Sequence, residues 1–244
     1  MAAMSSKVQT RALLFFLGMA ASLGQAPLSL WPVSIVAICG FFYFQLKTKD
    51  TKIGPFQRGW LFGFGYFVGA VNWILEPFLV DAARHAWMAP FALASMAGGL
   101  AIFWGLGIRI SKIVGGNAYG LAFGLGAAEL ARGYVLTGFP WALVGYVWVD
   151  TPVGQLASLL GVYGLTILTF VLAAIYVEIC FKRGTLPAAI LSCLVIGCCW
   201  IWGTYRIADL QYLETAKVIR LVQPNAPQEE KWHPEHAIKF FKLM

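Results

Sequence analysis

The chain has 244 residues, of which 59% are hydrophobic and 12% are charged, with a mean hydropathy of +0.72. Soluble domains carry about 25% charged residues, so this composition excludes a soluble globular protein and indicates an integral membrane protein. The net charge of +7 does not indicate nucleic-acid binding, because most basic residues lie in short connections between apolar segments, as membrane proteins require.

The hydropathy pattern predicts an all-α polytopic membrane protein with about seven transmembrane helices in residues 1–205. The apolar runs lie at 12–24, 28–46, 59–80, 86–108, 113–130, 153–181 and 187–202. The first run follows Lys7 and Arg11 and also fits a cleavable signal peptide. A retained first helix is preferred, because every later segment is also apolar. Glycines four residues apart in the third and fifth runs predict helix faces that pack closely in lipid.

Basic residues are divided unevenly between the two sets of alternating connections. One set holds ten Lys or Arg residues and the other, up to the seventh run, holds two. The ten are Lys7, Arg11, Lys47, Lys49, Lys52, Arg58, Arg109, Lys112, Lys182 and Arg183. The positive-inside rule then predicts a cytoplasmic N-terminus, and seven crossings place everything after residue 205 on the outer side.

Residues 131–141 interrupt the helical pattern near the middle of the chain. A helix is predicted up to Glu129, and Gly133, Gly138 and Pro140 are predicted to break it, because glycine costs helix stability and proline removes a backbone donor. The aromatic stretch that follows is shorter than the roughly 20 residues that span a bilayer. We therefore expect a re-entrant or interfacial segment, where irregular backbone needs protein or a wet cavity around it. This is the first candidate for a lipid-handling site.

Two interpretations are open for each candidate residue in this stretch. Arg132 is suited to bind a phospholipid phosphate, or it pairs with Glu129 three residues earlier on the same helix face. The side chains of Phe139, Pro140 and Trp141 either line an acyl-chain entrance or pack a broken segment against the bundle.

Other reactive residue types in the sequence predict no catalytic, cofactor or metal site. All five cysteines lie in apolar segments and are predicted to be small buried hydrophobes. His233 and His236 have no third ligand nearby, so a solvated pair is expected instead of a metal site. Glu178 is predicted to pair with Lys182, four residues on.

The character of the sequence changes after residue 205. Residues 217–223 alternate and are rich in β-branched side chains, which predicts a strand; a turn at 224–227 and an amphipathic helix at 236–243 follow. One strand and one short helix do not bury a core of their own. Residues 206–244 are therefore predicted to be a linker and the opening of an incomplete α/β domain.

A series of short motifs extends from the third apolar run to the C-terminal segment. They are Gly63-Phe64-Gly65, Asn72-Trp73, Ala131-Arg132-Gly133, Leu136-Thr137-Gly138-Phe139-Pro140-Trp141, Gly145-Tyr146, Asp150-Thr151-Pro152, Gly161-Val162-Tyr163-Gly164, Val222-Gln223-Pro224-Asn225, Pro227-Gln228 and Lys231-Trp232. In this order they resemble the sequence of the bacterial apolipoprotein N-acyltransferases, and the similarity covers nearly the whole chain.

The resemblance implies seven membrane helices in the bacterial inner membrane, then a periplasmic nitrilase-like αββα domain and one last helix. It implies acyl transfer from a phospholipid, through a cysteine of the enzyme, to the α-amine of a diacylglyceryl lipoprotein. That chemistry uses a thiolate, a carboxylate base and a lysine, which in the family lie in the nitrilase-like domain. No residue here matches them, so the chain is expected to be truncated before the catalytic residues and inactive alone.

Trp232 matches a tryptophan that the family carries in its first outer loop, near the substrate entrance. The resemblance implies lipid contact or gating of the cleft there, while an interfacial anchor is the alternative, since tryptophan favours that position in any membrane protein. Two other functions are open for the chain as a whole. One is a non-catalytic membrane module or gene remnant that binds lipid or lipoprotein. The other, a small transporter, is disfavoured because the mid-span regions are nearly free of charge.

Overall fold

The computed structural model describes residues 2–48, 53–209, 220–223, 226, 230 and 234–242. These residues form helices and irregular connections, with no strand among them. Seven helices of 16 to 27 residues form the bundle. They are α1 (Ala2–Ser22), α2 (Trp31–Lys47), α3 (Pro55–Ala70), α4 (Ala89–Ile113), α5 (Ala118–Tyr134), α6 (Ala157–Arg183) and α7 (Thr185–Ala208).

Three of the described segments are long and apolar enough to cross a membrane: Ala82–Ile113, Pro152–Arg183 and Thr185–Ala208. A further apolar helix, Trp31–Lys47, is shorter. The predicted all-helical, membrane-compatible architecture is therefore confirmed at this level.

One end of the bundle gathers basic residues, and we call it the basic end. Its cations include Lys47, Arg58, Arg109, Lys112, Lys182 and Arg183. Contacts between helices bring these termini together: the Arg58 guanidinium donates to the Thr48 carbonyl at 3.3 Å, and the Tyr43 ring stacks on Phe181 with centroids 4.9 Å apart.

The opposite end consists of irregular connections, and we call it the broken end. It contains residues 23–30, 71–88 and 135–156. The first and third of these connections meet, because Gln25 donates to the Leu143 carbonyl at 3.1 Å and the rings of Trp31 and Trp148 lie 5.2 Å apart.

Glycines allow α1, α3, α4 and α5 to pack at short range. A Cβ on Gly63 would press against Trp104 of α4, and one on Gly65 would collide with the backbone of α1 at Phe15. Gly107 and Gly124 likewise meet across the interface between α4 and α5. The glycine pattern in the sequence thus marks real close contacts, which stabilise helix pairs in lipid through van der Waals packing.

The predicted third span, 59–80, is wrong at its C-terminal end. Helix α3 begins at Pro55 and ends at Ala70, and the chain then forms the short helices Asn72–Leu75, Glu76–Leu79, Ala82–His85 and Ala86–Met88 before α4. Pro77 lies in the first turn of one of these helices, where its missing N–H costs little. Pro77 is therefore accommodated because a new short helix starts there, so it does not interrupt a longer helix.

The C-terminal segment is described only in part. Residues 220–223 form no strand, and 217–219 lie outside the described residues, so the predicted strand is not confirmed. The predicted amphipathic helix is present as α8 (Pro234–Lys242). His236 lies 3.2 Å from the Glu230 carboxylate, while His233 lies outside the described residues.

Candidate functional site

The segment between α5 and α6 is the most irregular part of the broken end, and we call residues 135–148 the broken segment. Gly133, Gly138 and Pro140 were predicted to break the helix; Gly133 instead remains helical, and the break comes after Tyr134. The chain then turns through positive φ angles at Leu136 (60°) and Gly138 (75°). A Cβ on Gly138 would collide with the Gly133 carbonyl, so this position requires glycine in both conformation and space.

Arg132, in the last turn of α5, fixes the backbone of the broken segment. Its Nη1 donates to the carbonyls of Phe139 at 2.5 Å and Trp141 at 2.8 Å. Its Nη2 and Nε donate to the two carboxylate oxygens of Glu129 at 2.8 and 3.1 Å. The guanidinium is fully buried, so the predicted ion pair is present and the phosphate-binding alternative finds no exposed surface on Arg132.

Glu129 receives a third hydrogen bond from outside α5. Trp104 of α4 donates its indole N–H to the Glu129 carboxylate at 2.7 Å. The Arg132 guanidinium also lies 5.1 Å from the ring centroid of Phe67 in α3, within the range of a cation–π contact. A buried ion pair is tolerated only when further hydrogen bonds compensate for its desolvation, and these neighbours provide that compensation.

Two more buried side chains hold the next two carbonyls of the broken segment. The Tyr66 hydroxyl donates to Ala142 at 3.1 Å, and the Gln25 amide donates both to Leu143 at 3.1 Å and to the Tyr66 hydroxyl at 2.7 Å. Backbone carbonyls buried without a donor cost free energy. Arg132, Tyr66 and Gln25 satisfy them here, and Glu129 and Trp104 hold Arg132 in place. We call these five side chains, Gln25, Tyr66, Trp104, Glu129 and Arg132, the polar clamp.

Helix α6 anchors the last part of the broken segment, the 3₁₀ helix Val144–Trp148. The Thr166 hydroxyl accepts the Gly145 N–H at 2.9 Å, and Trp148 donates its indole N–H to the Thr169 hydroxyl at 2.9 Å. The segment is therefore held from both sides, by the clamp and by α6. Such support is what irregular backbone needs at membrane depth.

The backbone of the broken segment is bound by buried side chains, whereas several of its own apolar side chains are exposed. Leu136 is 96% exposed and Trp141 is 55% exposed. Pro140 is exposed as well, whereas Phe139 is half-buried and lies 5.2 Å from Trp141, ring to ring. The structure thus brings four candidate site residues together. Arg132 is buried and binds the backbone of the segment that carries Phe139, Pro140 and Trp141. The fifth candidate, Trp232, lies outside the described residues.

Sequence reasoning missed three members of the clamp. Gln25 is a single polar residue between two apolar runs, and such a residue gives no local signal of its role. Tyr66 and Trp104 carry no local signal, because aromatic residues are common in apolar helices. Their roles depend on long-range contacts, such as the 76 residues that separate Tyr66 from Ala142 along the chain.

A family model for the apolipoprotein N-acyltransferase N-terminal domain matches residues 17–175. This chain belongs to the apolipoprotein N-acyltransferase family. The match extends from α1 into α6 and includes every residue of the polar clamp and the whole broken segment. The resemblance predicted from the sequence motifs is confirmed.

Curated apolipoprotein N-acyltransferases from several bacteria are similar over most of this chain. The protein from Caulobacter vibrioides is 36% identical over 92% of the chain, and that from Rhizobium rhizogenes is 35% identical over 72%. The protein from Brucella suis is 31% identical over 96%. The aligned parts make up 43%, 35% and 47% of these relatives, respectively, so the chain spans less than half of their length.

Proposed function

We propose that this chain is the membrane part of an enzyme that N-acylates lipoproteins. The reaction moves an acyl chain from a phospholipid to the α-amine of a lipoprotein's N-terminal diacylglyceryl-cysteine. The observation that carries the proposal is the family match over residues 17–175, which coincides with the part of the chain that builds the clamp and the broken segment.

In this proposal the seven long helices cross the bacterial inner membrane seven times, with the N-terminus in the cytoplasm. The cations gathered at the basic end support this orientation, because Lys and Arg are enriched on the cytoplasmic side. The broken end then faces the periplasm, together with residues 206–244.

The nucleophile of this chemistry has to be a thiolate that reaches the acyl donor. All five cysteines lie within α2, α6 and α7, and none is in the broken segment. We therefore assign the cysteine, the carboxylate base and the lysine to a nitrilase-like domain that acts at the broken end. The 244-residue chain alone is then expected to transfer no acyl group.

The broken segment would serve this reaction by positioning an acyl chain. Phe139, Pro140 and Trp141 line the proposed entrance. Trp232, which lies outside the described residues, is proposed to contact lipid as well. Arg132 acts indirectly, since its hydrogen bonds fix the carbonyls on both sides of Pro140. Holding a substrate in one geometry lowers the barrier of a later bimolecular step.

Depletion of the protein in its native host tests the proposed function. We expect lipoproteins to accumulate with a free α-amine, which intact-mass analysis of N-terminal lipopeptides detects as the loss of one acyl chain. Unchanged triacylated lipoproteins would contradict the proposal and would favour the alternative of a non-catalytic lipid-binding or lipoprotein-binding module.

A second experiment tests whether this chain is sufficient. The purified 244-residue protein is incubated with phospholipid and a diacylated lipopeptide, and the lipopeptide mass is measured. We expect no N-acylated product. If that product forms, the catalytic residues lie within these 244 residues and their assignment to a separate domain is wrong.

A further inference from the structure

A groove of about 530 Å³ lies between α2, α6 and α7, away from the exposed aromatic side chains of the broken segment. Its walls are largely apolar, with α2 contributing Val36, α6 contributing Leu172 and Tyr176, and α7 contributing Ala189 and Ile196. Apolar cavities of this kind do not hold ordered water. A hydrocarbon chain is the ligand that such walls accept.

The loose attachment of α7 creates the groove. Among the residues of α7, all of which the structure describes, Ala188 and Gly203 are buried. A Cβ on Gly203 would collide with Pro152, so α7 touches the 3₁₀ helix Pro152–Leu156 closely near one end. Between these two residues, Ile196 and Cys199 pack against the small buried cluster around Trp148, whereas the space beside Ala189 and Cys193 stays open and forms the groove.

The depth of the groove matches one leaflet of a bilayer. Its α6 wall extends from Thr169 to Cys180, a rise of about 16 Å at about 1.5 Å per residue. Half of a hydrocarbon core about 30 Å thick is about 15 Å. On α7 the lining residues lie between Thr185 and Ile196, which places the groove in the half of the bundle nearer the basic end.

Several cations lie near the groove, on the side closer to the basic end of the bundle. The Lys47 ammonium donates to the hydroxyl of Tyr43, a lining residue, at 3.1 Å. Tyr43 stacks on Phe181 near the end of α6, and the next residues, Lys182 and Arg183, line a neighbouring hollow between α6 and α7 at the same end of the bundle. Lys182 is 74% exposed and pairs with Glu178 at 3.3 Å, so the rim keeps an excess of positive charge.

We propose that this groove binds one anionic phospholipid from the leaflet at the basic end. One acyl chain fills the space between α2, α6 and α7, and the phosphate lies near Lys47, Lys182 and Arg183. The site is separate from the proposed entrance at the broken end. Trp148, the last residue of the broken segment, also lines the groove. A bound acyl chain would therefore contact the broken segment and stabilise its position.

Photocrosslinking in nanodiscs tests the site. The protein is reconstituted in phosphatidylcholine with a small amount of phosphatidylglycerol that carries a photoreactive group in its acyl chain, and crosslinked peptides are mapped by mass spectrometry. We expect crosslinks in α2, α6 and α7. Crosslinks spread evenly over the lipid-facing helices, or groove residues crosslinked to a second copy of the protein, would overturn the proposal.

Two substitutions on α7 test whether the groove holds the chain. Ala189→Phe fills the groove from its exposed wall and should abolish the crosslinks in α2 and α6. Leu194→Phe is the matched control, because Leu194 is 60% exposed and does not line the groove; its crosslinks should stay unchanged. Equal crosslinking in both variants would overturn the site.

Substitution of the rim cations tests the headgroup preference independently of packing. Each of Lys47→Gln, Lys182→Gln and Arg183→Gln should weaken phosphatidylglycerol binding about five-fold, because one basic residue at an anionic membrane surface contributes roughly that factor. Crosslinking of a photoreactive phosphatidylcholine should not change. Arg109→Gln, an exposed cation on α4, is the control. Equal binding of both lipids by the unmodified protein would overturn the assignment to an anionic lipid.

Discussion

Helices α4 and α5 approach until Gly107 and Gly124 meet, whereas α7 contacts the rest of the bundle through few buried residues. The first region also contains the buried ion pair, and the second borders an apolar groove. The difference indicates a division of roles. The closely packed helices hold an irregular segment in one geometry, and the loosely packed helix leaves room for lipid.

The free energy of unfolding should differ most between the two regions when the glutamate of an ion pair is replaced by alanine. Glu129→Ala leaves the buried Arg132 charge uncompensated, which should lower the free energy of unfolding by about 3–5 kcal/mol. Chemical denaturation in detergent micelles measures this. Glu178→Ala is the control, because its partner Lys182 is 74% exposed and exposed pairs contribute about 0–1 kcal/mol. Similar losses in both variants would show that the buried pair is not specially important.

A methyl group added to a glycine should have opposite effects in the two regions. Gly124→Ala forces a Cβ against the backbone of Gly107 and should lower the free energy of unfolding by about 1–3 kcal/mol. Gly197→Ala in α7 meets no atom within 4 Å and should raise it by up to about 1 kcal/mol, since alanine favours helix over glycine. The same denaturation experiment gives both values, and a loss at Gly197 would contradict loose packing of α7.

A smaller effect is expected from removing one hydroxyl of the polar clamp. Tyr66→Phe eliminates the hydrogen bonds to Ala142 and Gln25 and should lower the free energy of unfolding by about 1 kcal/mol. Hydrogen exchange should also increase locally in residues 142–145. Tyr205→Phe, at a side chain that is 73% exposed, should change neither quantity; a matching change there would point to a general effect of tyrosine removal.

The closely packed region also shows what the sequence could and could not predict. The pairing of Glu129 with Arg132 was predicted, because three residues on a helix place both side chains on one face. The irregular segment after α5 was predicted from Gly138 and Pro140. These features depend on neighbours along the chain, so local rules are sufficient for them.

Features that depend on distant contacts were not predictable in this way. Gly133 was expected to contribute to the break in the helix, but it stays helical and packs so closely against Tyr163 of α6 that a Cβ would collide with the Tyr163 hydroxyl. The early end of α3 at Ala70 was missed for a related reason. Hydropathy treats Pro77 as part of one apolar run, although this proline lies in the first turn of a new short helix.

The exposed face of the broken segment should be important for function and not for stability. Trp141→Ala should change the free energy of unfolding by less than about 0.5 kcal/mol, as expected at a surface position. If its ring contacts the acyl chain, the lost contact of roughly 1.5–3 kcal/mol should reduce lipoprotein N-acylation in the native host at least about ten-fold. Trp87→Ala is the control, since Trp87 is 68% exposed at the same end. Equal acylation by the two variants would remove Trp141 from the proposed entrance while leaving the polar clamp beneath it intact.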